Sequence, residues 1–135
     1  MKVILLMAGC MLMCVLAKSQ SYEIKQIGKD ESDVLFNMKK DTAYVYDKQT
    51  YEGDGNYHVT YLGKNGTDIC NVFFINHKCS FVVYYYPPSK TPDLISSLNR
   101  SYKRTDNDVW IDDTYSYKVQ IYIEDNATEL CFKKM

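Results

Sequence analysis

Residues 115–123 read YSYKVQIYI, a run of nine in which large apolar or aromatic side chains fill every second position. Such a period of two places these side chains on one face of a β-strand and the intervening Ser, Lys and Gln on the other. Residues 124–127 (EDNA) are typical of a turn, and Leu130-Cys131-Phe132 follows as a returning strand. The pattern therefore predicts an antiparallel hairpin near the end of the chain.

The same reasoning extends towards the N-terminus. Strands are predicted at 42–46, 57–62, 69–75, 79–86 and 109–111, with turns at Gly53-Asp54-Gly55-Asn56 and Asn76-His77-Lys78. Two short helices are predicted at 30–40 and 91–98, the second with Thr91 as its N-cap and Pro92 in its first helical position. The predicted fold class is all-β: an antiparallel up-and-down barrel, lipocalin-like, complete or incomplete, with one or two short helices.

The N-terminus carries the pattern of a secretory leader. Lys2 precedes an apolar run over residues 3–16, and small Ala17 follows it. A transmembrane helix is the alternative, but about fourteen residues span only about 21 Å of a hydrocarbon core of about 30 Å. The sequence thus predicts a signal peptide at 1–17 and a single secreted, extracellular β domain at 18–135, with no second apolar run to hold it in a membrane.

Two further features agree with the secretory route. Asn65, Asn99 and Asn126 each begin an N-x-S/T sequon in an expected loop, and all three are candidate glycosylation sites. Cys70, Cys79 and Cys131 are disulfide candidates; a bridge from Cys131 to either of the others leaves one thiol over. Metal binding is the alternative, but the Cys and His spacing offers no tetrahedral site, so no metal or other cofactor is predicted.

Tyrosine is the most unusual component, with 13 in the chain. Several pairs have the spacing that places both rings on one face of a strand. If those faces point inwards, they line a site for an amphipathic small molecule; if outwards, they form a patch for a protein partner; ordinary strand packing is the third alternative. The candidate ligand-binding residues are Tyr44, Tyr46, Tyr84, Tyr86, Trp110, Tyr115 and Tyr117.

Trp110 lies between Asp106-Asn107-Asp108 and Asp112-Asp113, which permits two interpretations. A cationic amine could be held by the indole face and the neighbouring carboxylates. The alternative, favoured by the size and apolarity of indole, is that Trp110 fills one end of the core while the acids are solvated turn residues. The acidic run lacks the Gly and the distal Glu of a calcium loop.

Composition excludes several classes of function. The formal net charge is −1, so the chain has no basic excess for binding nucleic acid or an anionic membrane surface. His58 and His77 are the only histidines, and neither has a nucleophile motif nearby, so the chain is not predicted to be an enzyme. The expected partner is a small amphipathic molecule, with a host protein as the alternative.

Two stretches carry a resemblance to a known family. Asp33 followed by TAYVYDKQTYE at 42–52 resembles the opening of the secreted salivary lipocalins of ticks, the group that includes histamine-binding proteins. The stretch YSYKVQIYIEDNATELC at 115–131 is similar to their late hairpin, which has a glycosylatable turn and a following Cys. The resemblance implies a lipocalin-like barrel in a salivary protein that sequesters a lipid mediator or a biogenic amine.

Overall fold

The computed structural model describes residues 26–112, 114 and 116–135; the predicted leader and Tyr115 lie outside them. The helices in this described part of the chain are α1 (Glu31–Lys40) and α2 (Thr91–Ser101), the second directly preceded by a 3-10 turn at Pro88–Lys90. The strands are β1 (Tyr44–Gly53), β2 (Asn56–Gly63), β3 (Ile69–Ile75), β4 (Lys78–Tyr86), β5 (Lys103–Asp106), β6 (Val109–Asp112), β7 (Tyr117–Ile123) and β8 (Thr128–Lys134).

The eight strands form one antiparallel sheet in the order β1-β2-β3-β4-β8-β7-β6-β5. The prediction of an antiparallel all-β fold with short helices is confirmed; the sheet is not closed into a barrel, so the predicted lipocalin-like barrel is not confirmed. β1 and β5 are the two edges of the sheet and do not pair with each other. β5 is four residues long, exposed throughout and interrupted by a bulge, so it cannot match the ten residues of β1.

Alternation of side chains puts the core on one face of the sheet, here called the inner face. One straight row of cross-strand neighbours shows this, and its buried members are Val59, Val72, Val82, Phe132, Val119 and Trp110. Full burial of an aliphatic or aromatic side chain stabilises a fold by about 1.5–3 kcal/mol. This row therefore contributes a large part of the apolar driving force for folding.

Both helices pack on this inner face. Val34 and Met38 of α1 and Leu98 of α2 belong to the same buried cluster as the strand residues. α1 begins with Glu31 and Asp33 and ends with Lys39 and Lys40, so its charges complement the helix dipole. The helices thus cover part of the inner face of the sheet.

The start of α2 differs from the prediction. Lys90, not Thr91, occupies the N-cap position, because the 3-10 turn runs directly into the helix. The Thr91 hydroxyl instead donates to the Pro88 carbonyl at 2.8 Å and lies 2.6 Å from the Thr128 hydroxyl of β8. Thr91 therefore ties the helix entrance to the sheet.

Among the described residues, no helix is long and apolar enough to cross a membrane.

Candidate ligand-binding groove

A groove of about 590 Å³ lies between α1 and the first two strands. Its wall is mostly apolar or phenolic, with charged side chains where it meets solvent. The lining residues are Leu35, Met38, Lys39, Asp41, Tyr44, Val45, Tyr46, Gln49, Val59, Tyr61 and Lys64.

The connection from α1 to β1 fixes the width of this groove. Asp41 accepts the Ala43 backbone N–H at 2.7 Å through its Oδ1, which forms a tight turn after the helix. The Ala43 carbonyl in turn accepts the Lys64 backbone N–H at 2.8 Å. These bonds hold the end of α1 and the start of β1 against the end of β2, and so position α1 over the first two strands.

Tyr61 forms the floor and Tyr46 the rim. Tyr61 is 4% exposed and Tyr46 is 59% exposed, and their rings meet edge to face with centroids 6.2 Å apart. Burial raises the pKa of Tyr61 to about 12, and the nearby Cys70 and Tyr46 contribute smaller increases. The Tyr61 hydroxyl therefore stays neutral at physiological pH and retains a proton to donate to a bound acceptor.

The charged groups at the mouth are Lys39, Lys64 and Asp41. Neither lysine forms an ion pair within the described residues. One oxygen of Asp41 already accepts the Ala43 N–H. The mouth consequently presents two ammonium groups against one partly used carboxylate, which favours a negatively charged group.

Two of the tyrosines predicted to bind a ligand, Tyr44 and Tyr46, line the groove. Tyr84 is only 5% exposed and packs against Tyr44 with ring centroids 6.0 Å apart, behind the groove wall. Tyr86 stacks on Tyr84 at 6.1 Å and faces a separate cavity of about 90 Å³ beneath α2. The predicted ligand-binding tyrosines therefore lie at two separate cavities, with Tyr84 buried between them, and do not surround one lumen.

Trp110 lies far along the sheet from the groove. It is 0% exposed, its Nε1 donates to Asn99 Oδ1 at 2.8 Å, and the Arg104 guanidinium lies 5.1 Å from the ring centroid. The ring thus has no surface left for an external cation, and the chain itself supplies the cation beside it. This placement agrees with the interpretation of Trp110 as a core residue.

Tyr117 is half-buried and donates its hydroxyl to the Ile27 carbonyl at 3.4 Å, again away from the groove. Tyr115 lies outside the described residues.

The three sequon asparagines are all exposed. Asn65 and Asn126 lie in the β2–β3 and β7–β8 turns, whereas Asn99 lies inside α2, so its expected loop position is wrong. In that position the Asn99 side chain accepts the indole N–H of Trp110. Occupancy of the three sites by glycans stays a prediction.

The turn that carries Asn65 is anchored by Asp68. Burial would raise the pKa of Asp68, but hydrogen bonds from Lys90, Asn65 and Thr67 outweigh it and hold the pKa below its ordinary value. The Lys90 ammonium donates to both carboxylate oxygens at 2.9 and 3.0 Å. This ion pair joins the β2–β3 turn to the 3-10 turn before α2.

Asp68 is expected to make stability depend on acid pH. Since its pKa is lower in the folded than in the unfolded chain, the stabilisation is complete above the unfolded value near 3.8 and is lost as the pH falls through the folded value. Asp68→Asn should cost about 1–2 kcal/mol at neutral pH and little at strongly acidic pH. Urea midpoints measured across this range test it; a constant gap contradicts the prediction, and exposed Asp125→Asn is the control.

No disulfide joins the three candidate cysteines within the described residues. Cys70 and Cys79 are buried and belong to the core cluster, while Cys131 points to the opposite face of the sheet. Burial raises the pKa of Cys79 to about 12, so this thiol stays protonated. The register places Cys70 beside Tyr84 and Cys79 beside Phe74, so the strands do not bring the two sulfurs together.

The histidines lie outside the groove. His58 Nδ1 contacts Glu52 on the hairpin of β1 and β2, and His77 Nδ1 lies 3.3 Å from Glu31 Oε1. Glu31 also accepts the Tyr57 hydroxyl at 2.7 Å. No cluster of potential metal ligands occurs within residues 26–112, 114 and 116–135.

Sequence patterns alone missed most of the groove. Tyr61 had a detectable signal, because its alternation with Tyr57 marks one face of β2. Leu35 and Met38 lie in the predicted helix at 30–40, but nothing in the local sequence shows that this helix lies over β1. Gln49 was missed because β1 was predicted to end at residue 46, before its bulge.

Comparison of the chain with family models, curated proteins and solved structures finds no significant match. The resemblance to tick salivary lipocalins therefore stays a prediction, and function is argued from the geometry of the groove.

Proposed function

We propose that this chain is a secreted glycoprotein that sequesters a small amphipathic ligand with an acidic head group. The groove between α1 and the β1–β2 hairpin supports this most directly. Its volume of about 590 Å³ falls within the range of about 300–1,000 Å³ common for small-molecule sites. Binding is non-covalent, as in a carrier or scavenger, and needs no cofactor.

The lining suggests how the ligand lies. Leu35, Met38 and Val59 offer aliphatic surface to a hydrocarbon chain, and the rings of Tyr46 and Tyr61 add aromatic surface. The neutral Tyr61 hydroxyl supplies one hydrogen-bond donor near the floor. The apolar part of the ligand therefore enters first.

Charge distinguishes between the two ligand classes implied by the family resemblance. A carboxylate at the mouth gains from Lys39 and Lys64, whereas an ammonium group has only Asp41 to meet it. The alternative amine site at Trp110 offers no accessible ring surface, because the indole is fully buried. A lipid mediator with an acidic head fits better than a biogenic amine.

A matched pair of ligands tests this proposal. Palmitate should bind, and hexadecylamine, with the same chain length, should bind about tenfold more weakly in isothermal titration calorimetry. In the double variant Lys39→Gln and Lys64→Gln, palmitate should lose about tenfold in affinity, because two exposed ion pairs each contribute about 0.2–1 kcal/mol. Equal or tighter binding of the amine contradicts the acidic head group, and absence of all binding contradicts the carrier function.

A second candidate function is a protein interaction module. The sheet face opposite the core carries His58, Phe73 and Phe81 in one row, with centroids 4.8 and 4.2 Å apart. The buried residues of both helices pack on the inner face, so this aromatic row is only half-buried. A half-buried aromatic row on this face of the sheet supports recognition of a host protein.

A further inference from the structure

We propose that β1 is a self-association edge, along which a second copy of this chain adds its own β1 in antiparallel pairing. The inference concerns the outer edge of β1 and does not rest on the proposed groove ligand. It depends on the contrast between the two edges of the sheet and on the order of side chains along β1.

The two edges differ in protection. Edge strands of natural sheets are often short, charged or bulged, because their unpaired backbone N–H and C=O groups can otherwise pair with a strand of another molecule. β5 is short, charged and bulged, and Arg104 also donates hydrogen bonds to the carbonyls of Asp106 and Asn107. β1 also carries charges and two bulges, so its length and its large exposed side chains are what distinguish it from β5. β1 is ten residues long, and residues 45–53 make no backbone hydrogen bond to any described segment other than β2.

β1 also displays large exposed side chains. Val45 is 51% exposed, Tyr46 59% and Tyr51 71%, and the last is the most exposed large hydrophobic side chain among the described residues. An edge with open backbone groups and exposed aromatic rings is a typical site of strand addition.

The order of charged side chains along β1 is complementary to that of a second, antiparallel copy of the same strand. Asp47 and Lys48 are adjacent at the middle of the strand, both are exposed, and neither makes an ion pair within the described residues. An antiparallel copy reverses their order, so that each Asp47 lies opposite the other copy's Lys48. The symmetric pairing creates this contact twice, which is a reason to choose a second copy over an unrelated strand.

The bulge makes this register possible. The inner face of β1 carries even-numbered residues before Asp47 and odd-numbered residues after it, because Asp47 is an extra residue in the pairing with β2. These inner-face residues are Tyr44, Tyr46, Gln49 and Tyr51, which pair with Gly63, Tyr61, Val59 and Tyr57 of β2. With Asp47 opposite Lys48, Tyr44 lies opposite Tyr51 and Tyr46 opposite Gln49. Inner-face residues therefore meet inner-face residues, as antiparallel neighbours must.

Long-range electrostatics do not oppose the pairing. The formal net charge is −1, so two copies repel each other weakly. The dimer extends the sheet across a two-fold axis and brings Tyr51 of each copy beside the groove wall of the other at Tyr44.

Sedimentation equilibrium on the full chain, expressed through a secretory pathway, tests the proposal. The wild type should show a reversible monomer–dimer equilibrium. Asp47→Lys places two lysines opposite each other at both symmetric contacts and should weaken the dimer about tenfold or more. The double variant Asp47→Lys, Lys48→Asp restores opposite charges in the same register and should return the dissociation constant to within about threefold of wild type.

Asp106→Lys on β5 is the matched control and should leave association unchanged, and circular dichroism checks that each variant retains its sheet. A wild type that stays monomeric at high micromolar concentration overturns the proposal. So does equal weakening by the single and the double variant, because the register then differs from the one proposed.

Discussion

Replacing Trp110 with alanine is expected to lower the free energy of unfolding by about 3–5 kcal/mol. The indole is 0% exposed and is among the largest fully buried side chains of the core, so its removal leaves a cavity that the surrounding sheet cannot collapse to fill. Trp110 also connects β6 to both neighbours, through Val119 of β7 and Arg104 of β5. Urea denaturation followed by circular dichroism measures the change.

Two further variants separate burial from hydrogen bonding at this position. Trp110→Phe keeps much of the apolar volume but loses the donor to Asn99, and should cost clearly less than alanine. Ile123→Ala on β7 removes a side chain that is 59% exposed and should change stability by less than about 1 kcal/mol. If Trp110→Ala cost no more than Ile123→Ala, Trp110 would not be a core residue.

The strands with strong periodicity were the ones that could be predicted from sequence. The stretch at 69–75 agrees with β3 at both ends, since it is apolar on the inner face and bounded by turn residues. The turn at Asp54 and Gly55 was predicted as well, and both residues have the positive φ values, 55° and 79°, that a tight hairpin requires.

The elements that were missed are those that depend on tertiary context. β5 is Lys-Arg-Thr-Asp, with no apolar side chain to give a period, and is held as a strand by its pairing with β6. The second half of β1 was missed because the extra residue between Tyr46 and Lys48 breaks the alternation. Barrel closure could not be judged either, because it depends on whether two edges that lie far apart in sequence match in length.

The groove likewise combines features that the local sequence predicts with features that depend on tertiary context. Its tyrosines are visible as a pattern, yet their partner surface, the apolar face of α1, comes from another element whose position over β1 and β2 no local pattern specifies. The lysines at the mouth carry no distinguishing signal, because isolated surface lysines occur in every soluble domain. Only the assembled structure shows that Lys39 and Lys64 border one cavity.

Leu35 offers the sharpest test of what this groove binds. It is half-buried on α1 and its side chain lines the groove, so a charge placed there acts on the head group of a bound molecule from within the same cavity. Leu35→Glu and Leu35→Lys remove the same aliphatic surface and differ in the sign of the new charge. For a carboxylate ligand, the first adds repulsion and the second attraction.

Palmitate should therefore bind to Leu35→Glu about 100-fold more weakly than to Leu35→Lys. Leu35 faces the hydrocarbon chain, so the new charge acts on the head group from about 10 Å and contributes about 1.7 kcal/mol at an effective dielectric constant of about 20. Opposite signs make the two variants differ by about twice this value, and solvent screening reduces the difference to the roughly 2.7 kcal/mol of a 100-fold change in affinity. Titration calorimetry at low and at high salt measures both affinities, and the gap should narrow as salt rises. The reverse order, with tighter binding to the Glu variant, would contradict an acidic head group; equal affinities would mean that the ligand does not occupy this groove.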